Sequence, residues 1–128
     1  MGFTTSTAND ILKTRLSGCF VGLSTTEPTA SGGNFLEPAG GGYERASIGT
    51  LNVSIDAQVA NDAIIFFNET LGSWGTVTHF GLFKAKTGGT PFFTGELTQP
   101  VTINAEYIPI FRAENLIVGL DKAALETY

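Results

Sequence analysis

The stretch Ser73-Trp-Gly-Thr-Val-Thr-His-Phe-Gly-Leu-Phe-Lys-Ala85 constrains the fold more than any other part of the chain. It holds the only Trp and the only His, Trp74 and His79. The run from Thr76 to Lys84 reads as a strand, with Val77, His79, Gly81 and Phe83 on one face and Thr78, Phe80 and Leu82 on the other. Thr87-Gly88-Gly89 then reads as a hairpin turn, and Phe92–Leu97 as the returning strand. Aromatic and titratable residues gathered in this way suit either an active site or the centre of a β-sandwich core. The surrounding sequence favours the core.

Further short strands are expected at Cys19–Ser24, from Tyr43, at Leu51–Ile55, where apolar and polar residues alternate, and at Ala63–Phe67, which is apolar throughout and reads as covered on both sides. Val101–Ile103, Tyr107–Phe111 and Asn115–Leu120 complete the set, with Pro109 marking its strand as an edge or a bulge. Short strands at this spacing predict an all-β fold, an antiparallel β-sandwich of jelly-roll or Ig-like type, as one domain over residues 1–128. Thr7-Ala-Asn-Asp10 forms a capping box, and Ala8, Ile11, Leu12 and Leu16 share one face, predicting a short N-terminal α-helix within residues 1–18. Residues 25–42 read as a long Gly- and Pro-rich loop, either for binding or as an arm. Residues 121–128 read as a helix-compatible tail.

Composition narrows the function. Only 15% of the residues are charged, and the net charge is −5. Neither nucleic acid nor an anionic membrane surface is an expected partner. No apolar run approaches the roughly 20 residues of a membrane-spanning helix. The lone Cys19 has no internal disulfide partner, and Met1–Ala8 lacks the pattern of a signal peptide, so synthesis in a cytoplasm is expected.

No catalytic, cofactor or metal site is expected. His79 has no nucleophile motif beside it and reads as an imidazole held by a hydrogen bond in or next to the core. One His and one distant Cys are too few for zinc, and no calcium-loop pattern occurs. Gly32-Gly33 and Gly40-Gly-Gly42 precede a strand rather than a helix, so they read as turns rather than a phosphate cradle. Trp74 reads as a buried structural aromatic. Tyr43 and Arg45 lie two residues apart on one strand face, from which the guanidinium can bridge backbone carbonyls or a loop carboxylate such as Glu37. Phe35 and Leu36 form an apolar pair in the long loop and suggest a protein contact.

Gly40-Gly-Gly-Tyr-Glu-Arg45 and Ser73–Ala85 together resemble a family of small tailed-bacteriophage virion proteins known as tail-fibre or minor tail proteins. The resemblance runs from about Asn9 to Leu120 and includes the strand-like Phe20-Val-Gly-Leu-Ser-Thr-Thr-Glu-Pro28. Lys84 departs from the family's usual acidic residue, and Pro109 and Arg112 interrupt what is usually a smoother strand. The resemblance implies a non-enzymatic structural protein of the virion, most naturally of the tail or tail fibre, with capsid decoration or head fibre as the alternative. It implies other virion proteins as partners. The expected assembly is a homo-oligomer, a trimer by preference. A third reading is a carbohydrate-binding module that recognises a host surface glycan through Tyr43, Trp74 or loop aromatics.

Overall fold

The computed structural model describes residues 16, 18–49, 51–53, 59–118 and 122–127. Among these, the regular elements are the strands β1 (Phe20–Ser24), β2 (Ala46–Ser47), β3 (Leu51–Val53), β4 (Val59–Asn61), β5 (Ile65–Phe66), β6 (Gly75–Phe83), β7 (Phe93–Ile103), β8 (Pro109–Val118) and β9 (Lys122–Thr127). Apart from Leu16, the expected helix lies outside the described residues.

The strands join in one pairing path, β2-β1-β6-β7-β9-β8-β4-β3, with β5 also on β8. Pairing thus does not divide them into two sheets of jelly-roll or Ig-like order. Every pair is antiparallel except β7 with β9, which is parallel. β2 also comes back close to β5, so the path curls. Its concave side holds Val21, Leu23, Ile65, Phe67, Trp74, Val77, Phe80, Leu82, Leu97, Ile103, Phe111 and Leu116 in one buried cluster. Phe80 and Phe111, at 6.2 Å between centroids, link β6 to β8 through that core.

Several local expectations are corrected. The tail read as helix-compatible forms β9, seated between β7 and β8. Its Ala, Leu and Glu residues favour a helix locally, but the open hydrogen-bonding edges on either side override that weak preference. Val59–Asn61 pairs with both β3 and β8 and was not anticipated as a strand. In Ala63–Phe67 only one face is covered: Ile65 and Phe67 are buried, whereas Phe66 is 59% exposed.

The two-face reading of β6 fails at one point. Its pairing with β7 shifts register between Val77 and His79, where Val77 faces Val101 but His79 faces Glu96. This irregularity turns the strand over, so Val77, Phe80 and Leu82 all reach the core. Pro100 sits in the same unpaired stretch, where its missing N–H costs no ladder bond. Val101–Ile103 therefore continues β7 instead of forming a separate strand.

The strands expected at Tyr107–Phe111 and from Asn115 likewise merge into β8, Pro109–Val118, across a register shift between Phe111 and Leu116. Buried Asn61 plugs that irregularity. Its Nδ2 donates to the Arg112 and Ala63 carbonyls at 2.8 and 2.9 Å, and its Oδ1 accepts the Leu116 N–H at 3.0 Å. Pro109 is the first residue of β8, a position that tolerates proline inside a sheet.

Candidate functional site

The long loop is neither an arm nor unstructured. It folds back over the outer face of β1 and β6, where Gly22 pairs with Gly81. A Cβ on Gly81 would stand 2.7 Å from Cε2 of Phe35, and one on Gly22 would stand 2.8 Å from Cε1 of Phe83. The two glycines leave a trough that the aromatic rings occupy. Phe35 meets Phe83 edge-on at 5.3 Å. Backbone bonds fix the loop at its base: Thr25 N–H donates to the Leu36 carbonyl at 3.0 Å, and Leu36 N–H donates to Ser24 Oγ at 3.1 Å.

Phe35 and Leu36 therefore do not act as an exposed pair. Phe35 is half-buried against its own chain, and only Leu36, 58% exposed, points outward. The residue that made the difference is Gly81, whose missing side chain makes room for the ring.

The strand expected from Tyr43 begins at Ala46, and Tyr43 and Arg45 before it form a clamp with Glu37. Arg45 is almost fully buried and donates to Glu37 from Nη2 at 2.7 Å and from Nε at 3.0 Å. Its Nη1 donates to the carbonyls of Ala85 at 2.9 Å and Gly88 at 2.7 Å. The guanidinium also lies over the Phe83 ring, 3.4 Å from its centroid. One side chain thus ties the long loop to the β6–β7 hairpin, bridging a carboxylate and carbonyls at once. The planar fork of arginine suits this arrangement, and a lysine ammonium does not.

Tyr43 completes the clamp. Its hydroxyl donates to Glu37 Oε2 at 2.5 Å and accepts the Leu23 N–H at 2.9 Å. Burial, reinforced by that bond to Glu37, pushes the phenol far above its usual value of 10.0. Beside the clamp, an open cleft of about 250 Å³ is lined by residues that include Pro38, Lys86 and Thr87. Its charged groups are already engaged, Arg45 with Glu37 and Lys86 with Glu44.

Trp74 lies under the same loop end. It is 3% exposed, and its Nε1 donates to the Gly41 carbonyl at 2.8 Å. Tyr43 and Phe67 meet it edge-on at 5.0 and 6.3 Å.

His79 is apart from the clamp. It is half-buried and paired in register with Ser24 on one side and Glu96 on the other. A Ser-His-Glu row across three strands invites comparison with a catalytic triad. Ser24, however, is buried, and its Oγ donates to the Thr26 carbonyl at 2.7 Å while accepting the Thr26 and Leu36 N–H groups. That oxygen is committed to the loop base and is not free to attack. The imidazole Nδ1 instead bonds Thr78 Oγ1 at 2.8 Å. Among the described residues, no cluster of His, Cys, Asp and Glu could hold a metal ion, and no helix is long and apolar enough to cross a membrane.

Sequence reasoning missed the exposed aromatic and aliphatic groups in and after β5 and just before β8. Leu71 is 79% exposed, Phe66 59% and Tyr107 43%. Leu71 does stand between Thr70 and Gly72 in turn context, an unusual place for a large apolar side chain.

The described residues thus define a β-rich module whose polar network braces a loop. More specifically, residues 3–119 match the family model described as Podophage GP4 fiber I protein gp80, and the chain belongs to that bacteriophage fibre family. No curated protein matches it.

Proposed function

We propose that this chain is a non-enzymatic structural protein of the virion, built into the tail or tail-fibre apparatus as a homo-oligomer, a trimer by preference. It is made in the host cytoplasm and forms a single domain. Membership in a phage fibre family carries this reading. The clamp supports it, because Glu37, Tyr43 and Arg45 spend their hydrogen-bonding capacity on holding a loop. Closed symmetric assemblies are the usual form of such modules. Leu36, held outward by a braced loop, is the contact residue this reading favours. Trp74 and Tyr43 bind no glycan in it, since the indole is buried and the phenol hydroxyl is engaged.

Localising the protein in a density map of the particle tests the proposal. Density on the tail or its fibres supports it, whereas density on the capsid shell selects the decoration alternative. Sedimentation of the purified protein reads the oligomeric order.

A further inference from the structure

We infer that the paired ribbon formed by residues 64–71 and 104–111 is the face by which this chain docks on another protein of the particle, and that the partner presents an apolar patch rimmed by Lys or Arg. The inference rests on the virion reading above and adds the face and the chemistry of the partner.

Four of the large hydrophobic residues that are exposed lie on this ribbon: Ile64, Phe66, Leu71 and Tyr107. The ribbon is firmly built. Ile65 and Phe66 pair with Phe111 and Ile110, and Phe67 N–H donates to the Pro109 carbonyl at 3.0 Å. Buried Thr70 then locks the far end: its N–H donates to the Tyr107 carbonyl at 2.8 Å, and its Oγ1 donates to the Asn104 carbonyl at 2.6 Å. With Thr70 turned inward, the neighbouring Glu69 and Leu71 are both exposed. The apolar groups are thus carried on a fixed frame, which lowers the ordering cost of binding.

Charge selects the occupant. Glu69 and Glu106 flank the apolar groups, and neither carboxylate has an ion pair among the described residues. A second copy docking face to face would bring these acids against each other in a chain of net charge −5. Among the described residues, Arg45, Lys86 and Arg112 are already paired with Glu37, Glu44 and Glu126, and Lys84 stands over the Phe92 ring. An apolar centre with unpaired acids beside it fits a different protein with cations around an apolar patch.

The test uses particles assembled without this chain, from a phage carrying a nonsense mutation in its gene, and the purified full-length protein. Binding is read by co-sedimentation at low and high salt, beside thermal unfolding. Phe66→Ser with Leu71→Ser should weaken binding at least about fivefold, as loss of a contact anchor does. Glu69→Gln with Glu106→Gln should weaken binding at low salt and flatten its salt dependence, without changing the melting temperature. These glutamates are exposed, so the second pair keeps the test valid if the first pair misfolds. Parent-like binding by the Gln pair, or tighter binding, overturns the proposal. So does self-association that the Ser pair abolishes while particle binding persists, which would assign the ribbon to a second copy. Failure of the parent chain itself to bind would instead overturn the virion reading, and the docking face with it.

Discussion

Replacing Arg45 is the most direct perturbation of the clamp. The Arg45 side chain is 6% exposed and that of Glu37 23%. Removing one partner of a buried ion pair costs about 3–5 kcal/mol, because the other charge stays desolvated. Glu37 keeps some access to water and its bond from Tyr43, which puts Arg45→Met near the lower end, at about 3 kcal/mol. Ala85 and Gly88 lie in an exposed turn, where water can replace the lost donor to their carbonyls. Arg45→Lys keeps the charge but loses the fork. One ammonium cannot serve Glu37 and both carbonyls, and the expected cost is about 2 kcal/mol. For a chain of this size, these losses lower the melting temperature by about 8 °C for Lys and about 12 °C for Met.

Calorimetry or circular dichroism of four proteins decides the matter: the parent, Arg45→Met, Glu37→Gln and the double variant. A shared network predicts a coupling energy of at least about 1 kcal/mol, since the second substitution removes a charge the first has already orphaned. Single effects that add within about 0.5 kcal/mol, or an Arg45→Lys protein that melts like the parent, would refute the reasoning.

Gly81→Ala should cost about 1–3 kcal/mol by displacing Phe35, whose ring atoms lie 2.7 and 2.9 Å from the new Cβ, and should increase protease cleavage within residues 25–42. Tyr43 predicts a loss of stability in alkali. Its folded-state value is raised, so its contribution is complete below pH 10.0 and declines above that, as the unfolded phenol ionises while the folded one does not. The slope is about 1.4 kcal/mol per pH unit, and denaturant titrations across pH 9–11.5 should show a decline steeper by that amount in the parent than in Tyr43→Phe, since the buried Cys19 thiol, also raised, titrates in both. Trp74→Phe should lower stability by about 1–3 kcal/mol, because it leaves the Gly41 carbonyl without the indole donor.

The parts of this fold that were legible from sequence carry unambiguous local chemistry. Thr87-Gly88-Gly89 marks the turn joining β6 to β7, and the two-residue spacing of Tyr43 and Arg45 does bring both onto Glu37. What was illegible depends on distant partners. β9 exists because β7 and β8 leave a slot that its own residues do not announce. The irregularity after Val77 is set by the spacing of Leu97 to Val101 on the opposite strand, so a strict alternation within β6 misplaced its faces. Ala63–Phe67 hides its exposed side because a uniformly apolar run has no period to read. Phe35 and Leu36 separate only because Gly81 lies across from the first of them.

The clamp and the ribbon are also joined mechanically, and this gives the Trp74 variant a second readout. The Gly41 carbonyl accepts both the indole N–H of Trp74 and the backbone N–H of Leu71, at 2.8 Å each. The Gly42 carbonyl accepts Asn68 Nδ2 at 3.3 Å. Residues 41–45 therefore hold the loop that presents Leu36 on one side and the ribbon that presents Leu71 on the other. Trp74→Phe removes one of the two donors to Gly41, so the remaining bond should open more readily. Amide hydrogen exchange at Leu71 should then accelerate by more than the global loss of stability accounts for, while exchange at Ile65 and Phe66 in β5 follows the global loss. Equal acceleration at all three amides would mean that the indole supports the core alone. Selective acceleration at Leu71 would mean that a substitution beneath the loop alters the outer face without touching it.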